Sequence, residues 1–326
     1  MASKSKKIIG SIVPTLITLG LCYVLYSDVD FGRIFDQLGS WNYSLVVLFL
    51  AFNVLAMLMR ALRWRLQLRA IDASPSFGEM LRSIFGCYGL NILVPRLGEI
   101  WRSAYIARSS KKPFSSVFGT MIADRVSDTL AVGLIGVAAF VVASSAMYSF
   151  FQKSTAFNGF SSMLTSWMAL TVIFVLIAIA LFVIFAKNRF AVRIREFISK
   201  TWAGFAVLFK MPGRGRWLIL TAAIWLCYIA SMYVSMLAFP PTAQLLVEHG
   251  FASALLTFVF GSLSMAIPSN GGIGPWQIAV MMSLCGIYGM NQDVALSFAT
   301  VNLAATSLLT IVLGIGTFVV IAFKKH

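Results

Sequence analysis

Asn91-Ile-Leu-Val-Pro95-Arg96-Leu-Gly98-Glu99-Ile-Trp-Arg102 ends one apolar stretch and begins another. A second break, Ile267-Pro268-Ser269-Asn270-Gly271-Gly272-Ile-Gly274-Pro275-Trp276-Gln277, does the same in the other half. Proline and glycine leave backbone groups unpaired, and hydrocarbon tolerates that only where protein or a water-filled cavity surrounds them. Paired breaks in corresponding positions of two halves are the best sequence pointer to a transporter's binding site.

Around these breaks the chain is apolar from end to end. It has 326 residues, of which 59% are hydrophobic and 11% charged, with a mean hydropathy of +0.87. A soluble domain carries about 25% charged residues. Apolar spans fall at 8–26, 41–60, 115–146, 164–186, 216–240 and 292–322. The run at 8–26 has a basic flank but no small-x-small cleavage site, so it reads as a retained first helix. Two further apolar stretches, 78–94 and 251–288, contain or abut the breaks.

The net charge of +15 follows membrane topology rather than a nucleic-acid surface. Of 26 Lys and Arg, 23 lie at the two termini and in 60–82, 96–112 and 187–216. The positive-inside rule puts these segments, and both termini, in the cytoplasm. The connections 27–40, 147–163, 241–250 and 289–293 then face outward. Stretches 78–94 and 251–288 each begin and end on one side.

The expected fold is therefore an all-α polytopic membrane protein, a single membrane domain over 1–326. It has six full spans plus two oppositely oriented re-entrant hairpins. Residues 1–150 form a first repeat and 155–326 an inverted second repeat. Eight full spans is the alternative, because the 38 residues of the second hairpin are enough for two. Residues 187–215 read as a cytoplasmic interfacial amphipathic helix that favours anionic membrane lipids.

Polar residues at depth are the candidate site. Asp124 and Asp128 share a helix face, and Arg125 reaches Asp128 at i+3. Such groups line a path or pair with one another to dock a span. Arg96, Glu99 and Arg102 follow the first break. A glycine turn entering a helix aims amides and dipole at an anion, and Arg102 adds bidentate capacity for phosphate. Flanking charge at an interface would explain the same arginines. The second break is neutral: Asn270, Gly271, Gly272, Gly274 and Gln277 offer close approach and hydrogen bonding.

Other chemistry lacks its residues. The four cysteines sit in apolar runs, and His249 and His326 are the only histidines. No metal site, cofactor, Ser/His/Asp set or nucleotide loop is expected. Asp28 and Asp30 form an Asp-x-Asp pair in a short outer loop.

Arg63-Trp64, Asn91-x-x-x-Pro95, Gly98-Glu99-x-x-Arg102, Asp124-Arg125-x-x-Asp128 and Pro268…Gly271-Gly272-x-Gly274 together resemble the lysylphosphatidylglycerol synthase transmembrane-region family. That family includes the flippase part of the multiple-peptide-resistance proteins. The resemblance implies a non-enzymatic lipid translocase of a bacterial-type inner membrane, acting on a phospholipid or another lipid-phosphate. It points to Glu99, Arg102, Asp124, Arg125, Asp128 and the Gly271–Gly274 turn, without an aminoacyltransferase domain in this chain. An oligomer is compatible with this reading. Two alternatives stand beside it: a lipid-sugar-dependent glycosyltransferase using Asp28 and Asp30, and a non-transporting scaffold of an envelope-lipid pathway.

Overall fold

The computed structural model describes residues 37–144, 213–267 and 269–323, with isolated positions at Gly32, Glu196, Ser199, Trp202, Ala206 and Met211. The expected spans at 8–26 and 164–186, the interfacial helix at 187–215, Asp28, Asp30 and Pro268 lie outside the described residues.

The described residues are helical, with no strand among them. The first half contributes α1 (Tyr43–Arg69), α2 (Phe77–Leu93), α3 (Leu97–Ser109) and α4 (Phe114–Val142). The second contributes α5 (Arg214–Ala238), α6 (Pro240–His249), α7 (Phe251–Ser264), α8 (Pro275–Met281), a π-helical turn (Met282–Ile287) and α9 (Gln292–Phe323). Of these, α1, α4, α5 and α9 are long and apolar enough to cross a membrane. Their outward faces are apolar, as in Leu130, Leu134, Val137 and Val141 on α4. Lipid is the solvent such a surface needs.

Local chemistry explains the helix ends. Asn42 caps α1, its side chain accepting from Ser44 and Leu45 amides. Ser76 and Glu79 form a reciprocal capping box at the start of α2: the Ser76 amide donates to Glu79 Oε2 at 2.7 Å and the Glu79 amide to Ser76 Oγ at 3.3 Å. Two boundaries differ from the sequence reading. α1 does not stop near residue 60 but runs on to Arg69, because its charged residues there find partners inside the protein. The connection at 241–250, expected to face outward, is largely the short helix α6, started by Pro240 and Pro241, whose missing N–H groups cost nothing in a first turn. α6 and α7 meet at 117°.

Both breaks turn the chain back on itself. α2 packs against α3, and α7 against α8. None of these four helices exceeds 17 residues, or about 26 Å at 1.5 Å per residue, short of a hydrocarbon core of about 30 Å. α1 lies along α5. α2 packs on α9 of the other half, and α7 on α4 of the first. The α2–α9 crossing is close. A Cβ at Gly89 would stand 2.9 Å from the Gly314 Cα, so both positions need glycine. Two apolar cores result. One centres on Phe49, Met236, Phe239 and Phe298, the other on Trp64, Leu68, Met80 and Ile106, and α1 contributes to both.

Candidate functional site

The second core holds a cluster of charges. On α1, Arg60, Arg63, Trp64 and Gln67 follow i, i+3, i+4, i+7 spacing and are buried together. On α4, Thr120, Asp124 and Asp128 repeat every four residues and meet that stripe. Arg63 donates to Asp124 Oδ1 through Nε (3.0 Å) and Nη2 (2.6 Å), and Nη2 also donates to Asp128 Oδ1 (2.7 Å). Arg60 donates to Asp128 Oδ2 and stands 3.8 Å from Asp124. Arg102, from α3, donates to Asp124 Oδ2 at 3.4 Å. Arg125 lies 3.4 Å from Asp124 and 3.6 Å from Asp128.

Aromatic rings and polar groups hold the guanidiniums in place. Arg102 sits 4.5 Å over the Trp64 ring, whose indole N–H donates to Thr120 Oγ1. Arg63 lies over Trp217 and Arg60 over Tyr228, both on α5, and Arg63 reaches Thr221 at 3.4 Å. Cation–π contacts of this kind strengthen where water is excluded. The side chains of Arg63 and Asp124 are fully buried, whereas that of Arg125 is 37% exposed. Arg125 therefore marks the accessible edge.

The cluster is unbalanced. Among the described residues, four guanidiniums face two carboxylates, and the Nε–H groups of Arg60, Arg102 and Arg125 are buried without a hydrogen-bond partner. An unpaired buried donor on a charged group is expensive. An excess of cations with idle donors attracts an anion, and the planar guanidinium suits phosphate.

The first break closes on itself through Asn91. Its Oδ1 accepts the Gly98 amide at 2.8 Å and its Nδ2 donates to Glu99 Oε1 at 3.3 Å. Glu99 Oε2 is buried and has no partner among the described residues, one helical turn before Arg102. A Cβ on Gly98 would fall 2.0 Å from the Cys87 carbonyl oxygen, so the turn admits only glycine there. Arg96, exposed and left-handed at φ 61°, lies outside the cluster at the tip with Pro95. The anticipated anion nest at the start of α3 is occupied from within: the Leu97 amide donates to Val94 O and the Gly98 amide to Asn91.

The second break meets the first tip to tip. The Gly271 amide donates to the Asn91 carbonyl at 3.1 Å, and Asn270 Nδ2 to the Leu93 carbonyl at 3.5 Å. Gly271, Gly272 and Gly274 all have positive φ, a conformation glycine adopts at no steric cost. Gln277 is buried and folds back, accepting the Gly274 amide and donating to Thr300. Of the candidates, the structure thus gathers Arg102, Asp124, Arg125 and Asp128 into one cluster. It places Asn91, Glu99 and Gly98 beside it, and Asn270–Gln277 against the Asn91 turn.

Neither Arg60 nor Arg63 is a site candidate in the sequence reading, where Arg63 enters only through the Arg63-Trp64 motif. Counted by segment, they pass for cytoplasmic flank charge. The available signal was their spacing with Trp64 and Gln67, which puts two arginines on one face well before the helix ends at Arg69.

Fold and site define a multi-pass helical membrane protein with a buried, cation-rich cluster beside two broken hairpins. The chain belongs to the family described as the lysylphosphatidylglycerol synthase TM region, whose pattern spans residues 11–314. It is similar to the glycosyltransferase AglD of Haloferax volcanii, at 24% identity over 340 residues, 95% of this chain and 54% of AglD. A UPF0104 membrane protein of Methanothermobacter thermautotrophicus is 29% identical over 109 residues, 33% of this chain and 31% of that protein. The chain thus spans about half of one relative and a third of the other. No solved structure matches it.

Proposed function

We propose that this protein translocates a lipid whose headgroup carries phosphate, without making or breaking a covalent bond. The observation that carries this is the charge excess of the cluster. Among the described residues, four arginines and two aspartates meet inside a membrane protein, with three buried guanidinium Nε–H groups idle. Such an excess is costly without an anion to answer it. Arg125, the most exposed of the four, receives the phosphate, and Arg102 and Glu99 connect the cluster to the hairpin turn at Asn91. The acyl chains stay in the bilayer.

The packing supports two halves of opposite orientation. Each hairpin lies on the last span of the other half, and the tips touch through Asn91 and Gly271. In this reading the hairpins enter from opposite faces, and one half rocks against the other around the cluster. The membrane is a bacterial-type inner membrane with both termini cytoplasmic.

The test uses vesicles containing the purified protein and headgroup-labelled phosphatidylglycerol, with a membrane-impermeant quencher reading transbilayer exchange. Exchange should fall at least tenfold in Arg125→Gln and Arg102→Gln proteins that retain their melting temperature. Unchanged exchange in both would remove the cluster from the transport path.

The name of AglD, a glycosyltransferase, favours a second reading, glycosyl transfer. Asp28→Ala separates the two: it abolishes sugar transfer in that reading and leaves lipid exchange intact in ours.

A further inference from the structure

A second basic feature lies on the flank of the α1–α5 seam, away from the buried cluster. A groove of about 180 Å³ is lined by Leu62, Arg65, Leu66 and Arg69 of α1 and by Arg216 and Leu220 of α5. The α1 residues follow i, i+3, i+4, i+7 and so share one face. Arg69 ends α1 and Arg216 lies in the first turn of α5, so these charges mark the same end of two adjacent spans. Leu62, Leu66 and Leu220 lie deeper along the same helices.

The rim is unneutralised. Arg65 Nε donates to the Pro75 carbonyl at 3.1 Å, which fixes the plane of its guanidinium, and its Nη nitrogens have no hydrogen-bond partner among the described residues. Arg69 and Arg216 are exposed and have no hydrogen-bond or ion-pair partner among the described residues. No carboxylate lies within ion-pairing distance of any of the three among the described residues. Three guanidiniums around one groove repel one another unless an anion sits between them.

We infer that this groove is a binding site for one anionic glycerophospholipid of the adjacent leaflet. Its phosphate lies among Arg65, Arg69 and Arg216, and the start of an acyl chain runs over Leu62, Leu66 and Leu220. The leucine wall decides between ligands. It belongs to two membrane-spanning helices, where a soluble phosphate or an acidic peptide has no reason to reach, whereas a lipid places its headgroup at the rim and its chain at depth. Such a lipid braces the seam whose inner side orients Arg63 through Trp217 and Thr221. The inference does not rest on translocation: the two sites share no side chain.

The test is native mass spectrometry of the full chain released from detergent with dimyristoyl-phosphatidylglycerol or dimyristoyl-phosphatidylcholine. The unmodified protein should retain one phosphatidylglycerol that phosphatidylcholine does not replace. Arg69→Gln/Arg216→Gln should weaken that adduct about 30-fold, or about 2 kcal/mol at one for each guanidinium. Leu66→Trp, which fills the groove and keeps every charge, should remove it as well. Arg125→Gln should leave it in place, which separates this site from the buried cluster. Retention by the arginine double variant would overturn the phosphate contact. Retention by Leu66→Trp would overturn the groove as its location, leaving only diffuse surface attraction. Equal retention of phosphatidylcholine would overturn the selectivity for anionic lipid.

Discussion

Asp124→Asn is the most informative single change. Asp124 is fully buried and accepts from Arg63 at 2.6 and 3.0 Å, with Arg102 and Arg125 each at 3.4 Å. Asparagine keeps the shape and one carbonyl oxygen but removes the charge. Its amide group also turns a donor toward donors. The cluster goes from four cations against two anions to four against one. Breaking a buried ion pair by removing one partner costs about 3–5 kcal/mol, a large part of a typical folding free energy of roughly 5–15 kcal/mol. The measurement is reversible unfolding in mixed micelles, followed by tryptophan fluorescence. Adding Arg63→Gln restores the excess of two, with three guanidiniums facing one carboxylate, and should recover at least half of the loss. Asp124→Asn costing less than about 1 kcal/mol, the range of an exposed pair, would refute the argument that these charges are dry and mutually dependent. So would a double variant no more stable than the single one.

Other outcomes follow from specific contacts. Gly98→Ala should abolish folding or cost more than about 4 kcal/mol, the exceptional class, because its Cβ would meet Cys87 O at 2.0 Å. Gly133→Ala on α4, with nothing within 4 Å, should stabilise by about 0.5–1 kcal/mol, and both are read from melting temperature and yield. Ser231→Ala should cost about 1–3 kcal/mol in the same unfolding assay, since Asn53 Nδ2 donates to Ser231 Oγ at 2.7 Å across the α1–α5 seam. Trp64→Phe should cost about 1–2 kcal/mol, from the lost bond to Thr120 and a weaker ring beneath Arg102. Lipid exchange should fall with it.

Much of this architecture could be read from the chain. Proline and glycine placement located both turns, and hydropathy located α1, α4, α5 and α9. The i+3 and i+4 relations of Asp124, Arg125 and Asp128 follow from helix geometry alone. Arg60 and Arg63 escaped because counting positive charge by segment ignores depth, and a helix that continues past its apolar run can carry buried arginines in its last turns. The contact between the two tips was out of reach for another reason. Asn270 and Leu93 are 177 residues apart, and the bond between Gly271 and Asn91 joins main-chain atoms. No pattern of side chains encodes that main-chain bond.

The main-chain chemistry of the joint shapes how it behaves in evolution. A link made of one peptide N–H and one peptide carbonyl carries no residue identity beyond the glycine that shapes it. Relatives with unrelated residues at the Asn91 position can form the same joint, so aligned sequences hide it. An alanine scan would confound it, since truncating Asn91 also unties the Gly98 amide, and alanine at Gly271 strains a backbone at φ 62°. Only a change to the backbone itself reaches this bond alone. An ester in place of the Gly271 amide, introduced by chemical synthesis or nonsense suppression, would delete the donor while leaving every side chain unaltered.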